Sequence, residues 1–266
     1  MTLTATEEAR RSDLDKALAD QSFDGATPGE LFAVVDALDS QSALKRALTD
    51  PATPVEGRQQ LAERLLEGKV GGQTIWIVKQ AVAQRWKSGR GLADALERQA
   101  VRGQLRQAQD AGLLDEVAEQ LFDFVKVVRA DGALREALDD RTKPLEARQQ
   151  LVHRLLQGKV HGWVEALAAR AVAGRERNFD LTAQNHLAIA SQLRDHNLAR
   201  VTVARPLSDD QAARMRNALA RIHGREVDLQ VTVDPSVLGG VRVELGDEVF
   251  EGTVSGRLDQ VHQQLS

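Results

Sequence analysis

Two short segments invite a nucleotide-binding reading, because Gly68-Lys69-Val70 and Gly158-Lys159-Val160 set a lysine directly after a glycine. A phosphate-binding loop also needs a Ser or Thr after the lysine and a glycine five residues earlier, and neither segment has them. Both are read as helix ends. Gly239-Gly240 lacks the third glycine and following helix of a dinucleotide fingerprint, and is read as a turn. The histidines, His153, His161, His186, His196, His223 and His262, form no i, i+4 pair with one another. His161 with Glu165 alone is too small a ligand set for zinc, so these side chains are expected to be surface or partly satisfied histidines. Acidic residues stand beside basic ones, as in Glu97 with Arg98 and Arg102 or Glu146 with Arg148, the pattern of a solvated helix face. Arg85, Lys87 and Arg90 surround Trp86 and could touch nucleic acid. A loop-flanking solvated face, or a contact with an acidic partner helix, accounts for them better. No Ser, His and Asp arrangement emerges, so catalytic, cofactor and metal residues are all expected to be absent.

Composition narrows the classes further. With no cysteine in 266 residues, thiol catalysis, Cys-ligated zinc, iron–sulfur clusters and disulfide scaffolds are excluded. Lys and Arg number 35 against 39 Asp and Glu, too balanced for a dedicated nucleic-acid binder. Three Trp, six Phe and no Tyr leave Leu, Val and Ala to build the core, and argue against aromatic-lined ligand pockets. No signal-peptide pattern opens the chain, and no run nears the ~18 apolar residues of a membrane span. A cytosolic or peripheral protein without direct membrane insertion is expected.

The elements that would carry any function begin with a repeat. ALKRALTDPATPVEGRQQLAERLLEGKV from Ala43 returns as ALREALDDRTKPLEARQQLVHRLLQGKV from Ala133, ninety residues on. Upstream, Leu31, Phe32 and Val35 return as Leu121, Phe122 and Val125. A period of that length exceeds the ~20 to 50 residues of solenoid repeats, so each copy should be a small helical bundle. Beyond Val70 and Val160 the copies diverge.

Helix starts are marked in the first copy by Thr27-Pro28-Gly29-Glu30 and Thr53-Pro54-Val55-Glu56, both read as capping boxes with an early proline. Gly68 is expected to close the second of these helices. Ile75, Val78, Val82 and Trp86 recur at helical spacing, Ser88-Gly89-Arg90-Gly91 breaks the run, and another helix follows through Leu92, Leu96, Val101 and Leu105. A last bundle helix is predicted through Leu187, Ala190 and Leu193.

From Arg200 the period changes to two. Val201 and Val203 alternate with Thr202, and Val227, Leu229, Val231 and Val233 alternate with polar residues, predicting half-buried strands. Between them Ser208-Asp209-Asp210-Gln211 predicts a capped helix through Met215, Leu219 and Ile222. Val241, Val243 and Leu245 form a further strand, Gly246-Asp247 a Gly-first hairpin turn, and Leu258, Val261 and Leu265 a short amphipathic helix. The fold class expected is α+β, mainly α, with two tandem bundles and a small α+β tail.

The run DPSVLGGVRVELGDEVFEGTVSGRLDQVHQQL, from Asp234 to Leu265, resembles the C-terminal signature of the F-type ATP synthase delta subunit family, which includes the mitochondrial oligomycin-sensitivity-conferring protein. The matching residues are Asp234, Gly239, Gly240, Gly246, Asp247, Gly252, Val254, Arg257 and Leu258. Glu251, Thr253 and Phe250 depart mildly from the family pattern, and the Tyr-Ala-rich opening helix typical of the family is missing.

The resemblance implies three segments: an extra duplicated bundle over 1–100, the family's N-terminal bundle over 101–198, and a stalk-binding α+β domain over 199–266. It implies a non-catalytic stator subunit linking N-terminal helices of the alpha subunits to the b subunits and resisting rotor torque. That places it on the cytoplasmic face of a bacterial membrane, attached through the b subunits. Val261 and Leu265, with the strand face near Val241 and Val243, are the candidate partner contacts. A general adaptor for other partner helices is the alternative reading.

Overall fold

The computed structural model describes residues 5–18, 21, 23–223, 227–234, 241–245 and 248–251. The chain forms two compact units, Met1–Ala190 and Ser191–Ser266. It is mainly α with a small α+β part.

The first unit begins with α1 (Ala5–Ala17), α2 (Thr27–Ser40), α3 (Ser42–Thr49), α4 (Val55–Leu66), α5 (Gly72–Ala83) and α6 (Gly89–Asp110). It continues with α7 (Leu114–Ala130), α8 (Gly132–Asp139), α9 (Leu145–Leu156), α10 (Gly162–Ala171) and the start of α11 (Phe179–Asn197). Shifted by ninety residues, α3 and α4 fall on α8 and α9 to the residue, and α5 and α6 begin where α10 and α11 do. The register is therefore structural well past the point where sequence identity fades.

Paired hydrogen bonds show why. The α6 cap is Ser88, whose Oγ accepts from the Gly91 N–H at 3.3 Å; ninety residues on, Asn178 Oδ1 accepts from the Leu181 N–H at 2.9 Å. Gly68 and Gly158 both end helices at φ +73° and +71°, a backbone region in which a Cβ is strained. Buried Arg58 donates to the carbonyls of Val82, Asp50 and Thr53 at 3.0, 3.2 and 2.7 Å. Its counterpart Arg148 donates to Val172 and Leu138 at 2.9 and 3.0 Å. Arg148 thus lies in the interior, tying carbonyl ends together, instead of pairing with Glu146 on a solvated face.

One helix serves both copies. Moved by ninety residues, α1 maps onto 95–107, inside α6, so α6 closes the first copy and opens the second. The division expected at 100/101 falls midway along it. Leu92, Leu96 and Ala100 of α6 pack into one core with Leu14 and Leu18 of the α1 segment and with Leu31, Val35 and Leu38 of α2. Gly103 permits this approach, because a Cβ there would stand 2.7 Å from Phe23 Cδ1 and 3.0 Å from Pro28 Cγ. Asp15 accepts from Arg98 at 2.9 and 2.8 Å, Gln99 at 2.6 Å and Arg102 at 3.3 Å. Arg98 and Arg102 therefore answer α1, not Glu97.

Neither expected capping box of the first copy forms. The α2 cap is Ala26, and the Thr27 N–H and Oγ1 donate to Asp24 at 2.8 and 2.6 Å. Before α4, Asp50 accepts from the Ala52 N–H and Thr53 Oγ1 at 2.9 and 3.2 Å. Glu30 points to another helix altogether, since α5 starts at glycines with no side-chain acceptor of their own. Trp86 lies beyond α5, 7% exposed, with Nε1 donating to the Ala81 carbonyl at 2.7 Å. That burial removes it from the basic surface stretch.

The second unit holds β1 (Leu198–Val203), α12 (Asp209–His223), β2 (Asp228–Val233), β3 (Val241–Leu245) and β4 (Glu248–Glu251). The sheet order is β2-β1-β3-β4, with β1 and β2 parallel and the other neighbours antiparallel. Parallel neighbours need a crossover, and α12 supplies it. The capping box forms here as predicted: the Gln211 N–H donates to Ser208 Oγ at 3.3 Å, and the Ser208 N–H to Gln211 Oε1 at 2.9 Å. Ala199, Val201, Val203, Leu219, Val227, Val243 and Leu245 make the core, with Met215 against it. Ile222, expected on the same stripe, is 67% exposed. Leu245 pairs with Glu248 in the antiparallel β3–β4 ladder. The turn predicted at Gly246-Asp247 and the predicted final helix lie outside the described residues.

Candidate interaction surfaces

A dense cluster of charge in the first unit lies where α10 meets α2 and α6. Arg170, 6% exposed, donates through Nε and Nη2 to both oxygens of Glu97 at 2.7 and 2.6 Å, and through Nη1 to Asp36 at 2.7 Å. A bidentate fork of this kind fixes orientation as well as distance. Its guanidinium stands 4.8 Å from the Phe32 ring centroid, a cation–π contact. Arg175 reaches Asp94 at 2.6 Å, Glu97 at 3.3 Å and Asp39, while Arg90 donates to the Arg175 carbonyl at 3.0 Å.

Burial pulls the Arg170 guanidinium toward neutrality, but the hydrogen bonds and charges of Glu97, then of Asp36, hold its pKa above the usual arginine value. His186 lies nearby, 1% exposed. Burial and then the Arg170 charge push its pKa down to about 4, against the backbone hydrogen bond to Leu167. His186 is therefore a buried, partly satisfied histidine, hydrogen-bonded to the Leu167 backbone with Nδ1 unpartnered. Glu97 is likewise buried and not on a solvated face, because its partner comes from the other copy.

A second set of contacts caps helices across each bundle. Glu30 Oε2 accepts from the Gly71 N–H at 2.8 Å and from Thr74 Oγ1 at 2.5 Å, at the start of α5. In the second copy Gln120 Oε1 accepts from the His161 N–H at 2.9 Å, at the start of α10. His161 Nε2 pairs with Glu116 at 3.1 Å, and His153 Nδ1 with Glu165 at 2.5 Å, which separates the expected His161 and Glu165 pair. No group of three or more metal-ligating side chains occurs among the described residues.

Apolar side chains left open mark the surfaces available to partners. In the bundle unit these are Trp76 on α5, Phe122 and Val127 on α7, and Leu181 on α11; in the tail they are Ile222, Val231 and Val233. Lys126 stands 5.2 Å from the Phe122 centroid and Arg129 binds Asp180 at 2.6 Å. Of the strand residues proposed as contacts, Val241 is partly buried and Val243 is 7% exposed within the tail core. Val231 and Val233 of β2, on the far side of β1 and read from the sequence as part of a half-buried strand, are 39% and 45% exposed. The Asp234 N–H donates to the Val203 carbonyl at 2.9 Å, anchoring the end of β2 beside β1. Gly239, Gly240, Gly246, Asp247, Gly252, Val254, Arg257, Leu258, Val261 and Leu265 lie outside the described residues. Among the described residues no helix is long and apolar enough to cross a membrane.

The network around Arg170 escaped sequence reasoning, because its partners are 73 and 134 residues away. The readable signal was the change of charge between repeat positions, Asp36 to Lys126 and Asp39 to Arg129.

Comparison with known proteins follows the same architecture. The model of the family "ATP synthase delta (OSCP) subunit" matches residues 104–265, from within α6 through the tail. An ATP synthase subunit delta of Streptomyces avermitilis is 42% identical over 89% of this chain and 87% of its own length. That of Streptomyces griseus is 40% identical over 97% of this chain and 96% of its own, an alignment that takes in the first copy as well. A chain of the Toxoplasma gondii mitochondrial ATP synthase hexamer covers 64% of this chain and 97% of its own at 16% identity, with a TM-score of 0.34, too low to carry an argument. A shared bundle helix, a capped α+β tail and matches over nearly the whole length lead to one assignment: the chain belongs to the ATP synthase delta (OSCP) subunit family.

Proposed function

We propose that this chain is the peripheral-stalk subunit of a proton-translocating F-type ATP synthase, a structural part that holds the catalytic head against the torque of the rotor. The observation that carries the reading is the alignment of ATP synthase delta subunits over nine-tenths or more of the sequence. In this role the bundle unit receives N-terminal helices of the alpha subunits and the tail receives the b subunits. The segments 1–100, 101–198 and 199–266 are then the extra bundle, the family bundle and the stalk-binding domain, with α6 common to the first two.

Helix recognition along an apolar face suits such a role, since several modest contacts spread along a groove share a load. The exposed Trp76, Phe122, Val127 and Leu181 supply apolar surface on the bundle. Val261 and Leu265 remain candidates for the stalk contact. Attachment on the cytoplasmic face of the membrane through the b subunits fits a chain whose described helices cannot span it.

The test is calorimetric titration of the full chain with a peptide of the alpha-subunit N-terminus, and separately with the soluble part of the b subunit. The full chain is required, because division at 100/101 would cut α6. Binding of both, with no ATP turnover by the chain alone, is the expected result. Binding of neither, together with native complexes that lack ATP synthase subunits, would turn the assignment toward an adaptor for other partner helices.

A further inference from the structure

Beyond its first turn, α12 carries charge of one sign. After Asp210 the helix reads QAARMRNALARIH, with three arginines and no carboxylate. Met215 and Leu219 turn inward to the tail core. At about 100° per residue, Arg214, Asn217 and Arg221 fall within about 60° of one another on a side that faces away from that core. These three, with Ala220, line an open depression of about 690 Å³.

The two arginines of the stripe are set in the same way. Arg214 Nε donates to the Asp210 carbonyl and Arg221 Nε to the Asn217 carbonyl, each at 3.3 Å and each one turn back along the helix. That posture ties down one edge of each guanidinium and leaves both Nη groups of an exposed side chain for a further acceptor. Among the described residues neither arginine meets a carboxylate, whereas Arg129, Arg170 and Arg175 of the bundle unit each bind one. A cation near a helix C-terminus suits the helix dipole, which accounts for Arg221. Arg214 lies in the N-terminal half of α12, where the dipole gives it no such support.

We propose that this stripe of α12 receives an acidic helix of the stalk partner, one that carries two carboxylates seven residues apart on a single face. Arg214 and Arg221 are themselves seven residues apart, about 10.5 Å along the axis. A helix crossing at about 20° presents nearly the same face every seven residues, so Asp or Glu at i and i+7 meets both guanidinium groups. Each guanidinium then binds its carboxylate with direction as well as charge. Ala213 and Ala220 beside the stripe leave room for a close approach, and the exposed Ile222 adds an apolar contact at its end. The partner's identity rests on the functional reading above; the demand for paired carboxylates comes from α12 itself.

Calorimetric titration of the full chain with the soluble part of the b subunit, at low and at high salt, tests both. The native chain is expected to bind, and to lose about fivefold or more in affinity between about 50 and about 300 mM salt, because exposed charge pairs are screened. Arg214→Gln with Arg221→Gln should weaken low-salt binding by about tenfold and flatten the salt dependence. Arg216→Gln, on another side of α12, should bind as the native chain does. Circular dichroism checks that the variants melt like the native chain, and the salt dependence of the native chain is read without any substitution. No binding by the native chain would overturn the functional reading and this assignment with it. Native binding that salt leaves unchanged, or a folded double variant that binds equally well, would overturn the assignment alone. Capture of the chain by vesicles of phosphatidylglycerol and phosphatidylethanolamine, lost in the double variant while binding to b is kept, would give the stripe to a membrane surface instead.

Discussion

Counterpart positions in the two bundle copies fall into two groups. Glu30 and Gln120 both cap the start of a facing helix, and Arg58 and Arg148 both bind carbonyls in the interior. Asp36 and Lys126, Leu96 and His186, and Glu97 and Leu187 do unlike work. The difference follows from what each position faces. A helix end presents the same orphan N–H groups in every copy, so the residue that satisfies them keeps its role. A position that faces the neighbouring copy meets a different environment in each: Asp36 on α2 meets Arg170 of the second copy, whereas Lys126 on α7 stands over the Phe122 ring of its own helix.

The largest expected break in this comparison is at Arg170. Arg170→Met leaves buried Glu97 with only its longer contact to Arg175 and should destabilise the bundle unit by up to about 3–5 kcal/mol. Gln80→Met, at the counterpart position, should stay within about 0.5 kcal/mol. Urea unfolding of both, with the double variant Arg170→Met and Glu97→Met, separates a lost contact from a stranded charge. The double variant should recover most of the loss, and equal effects at 170 and 80 would remove the asymmetry between copies.

Next is acid sensitivity. His186 titrates near 4 when folded and near 6.5 when exposed, so between those values the unfolded chain takes up the extra proton. Its share of stability is complete above about pH 6.5 and falls as the pH drops toward 4, by up to about 3 kcal/mol. His186→Leu reproduces Leu96 of the first copy and should remove that share. Unfolding midpoints at several pH values should therefore fall between pH 6.5 and 4 more steeply for the native chain than for the variant, and parallel curves would reject the assignment.

The smallest effect sharpens the likeness. Glu30→Ala removes an ionised acceptor and should cost about 1–2 kcal/mol, while Gln120→Ala removes a neutral one and should cost about 1 kcal/mol or less. Thermal melts of the two single variants give the ranking directly. A larger loss at 120 would mean that charge is not what distinguishes the caps.

Local signals carried much of this architecture. The repeat, Gly68, the Ser208 box and the change of period near residue 200 each rest on interactions within a few residues, and each appears in the structure. What failed were local readings of side chains with a distant alternative. Glu30 could turn back on its own helix or reach α5, 41 residues away. Glu97 had basic neighbours within one turn, yet binds Arg170, 73 residues on. The same ambiguity hid α6, whose apolar stripe reads as one ordinary helix. Of the tail signature, Asp234 is placed, and the glycines and last apolar residues lie beyond the described segments.

The double membership of α6 bears on how the bundle unit comes apart. In repeat proteins stability is a sum of unit terms and nearest-neighbour interface terms, and a protease finds a joint where an interface is weak. Here no joint exists, because any cut or fraying between the copies removes a core helix from each. The segment up to Ala190 is therefore built to lose its structure in a single cooperative transition, with neither copy persisting as a folded remnant of the other.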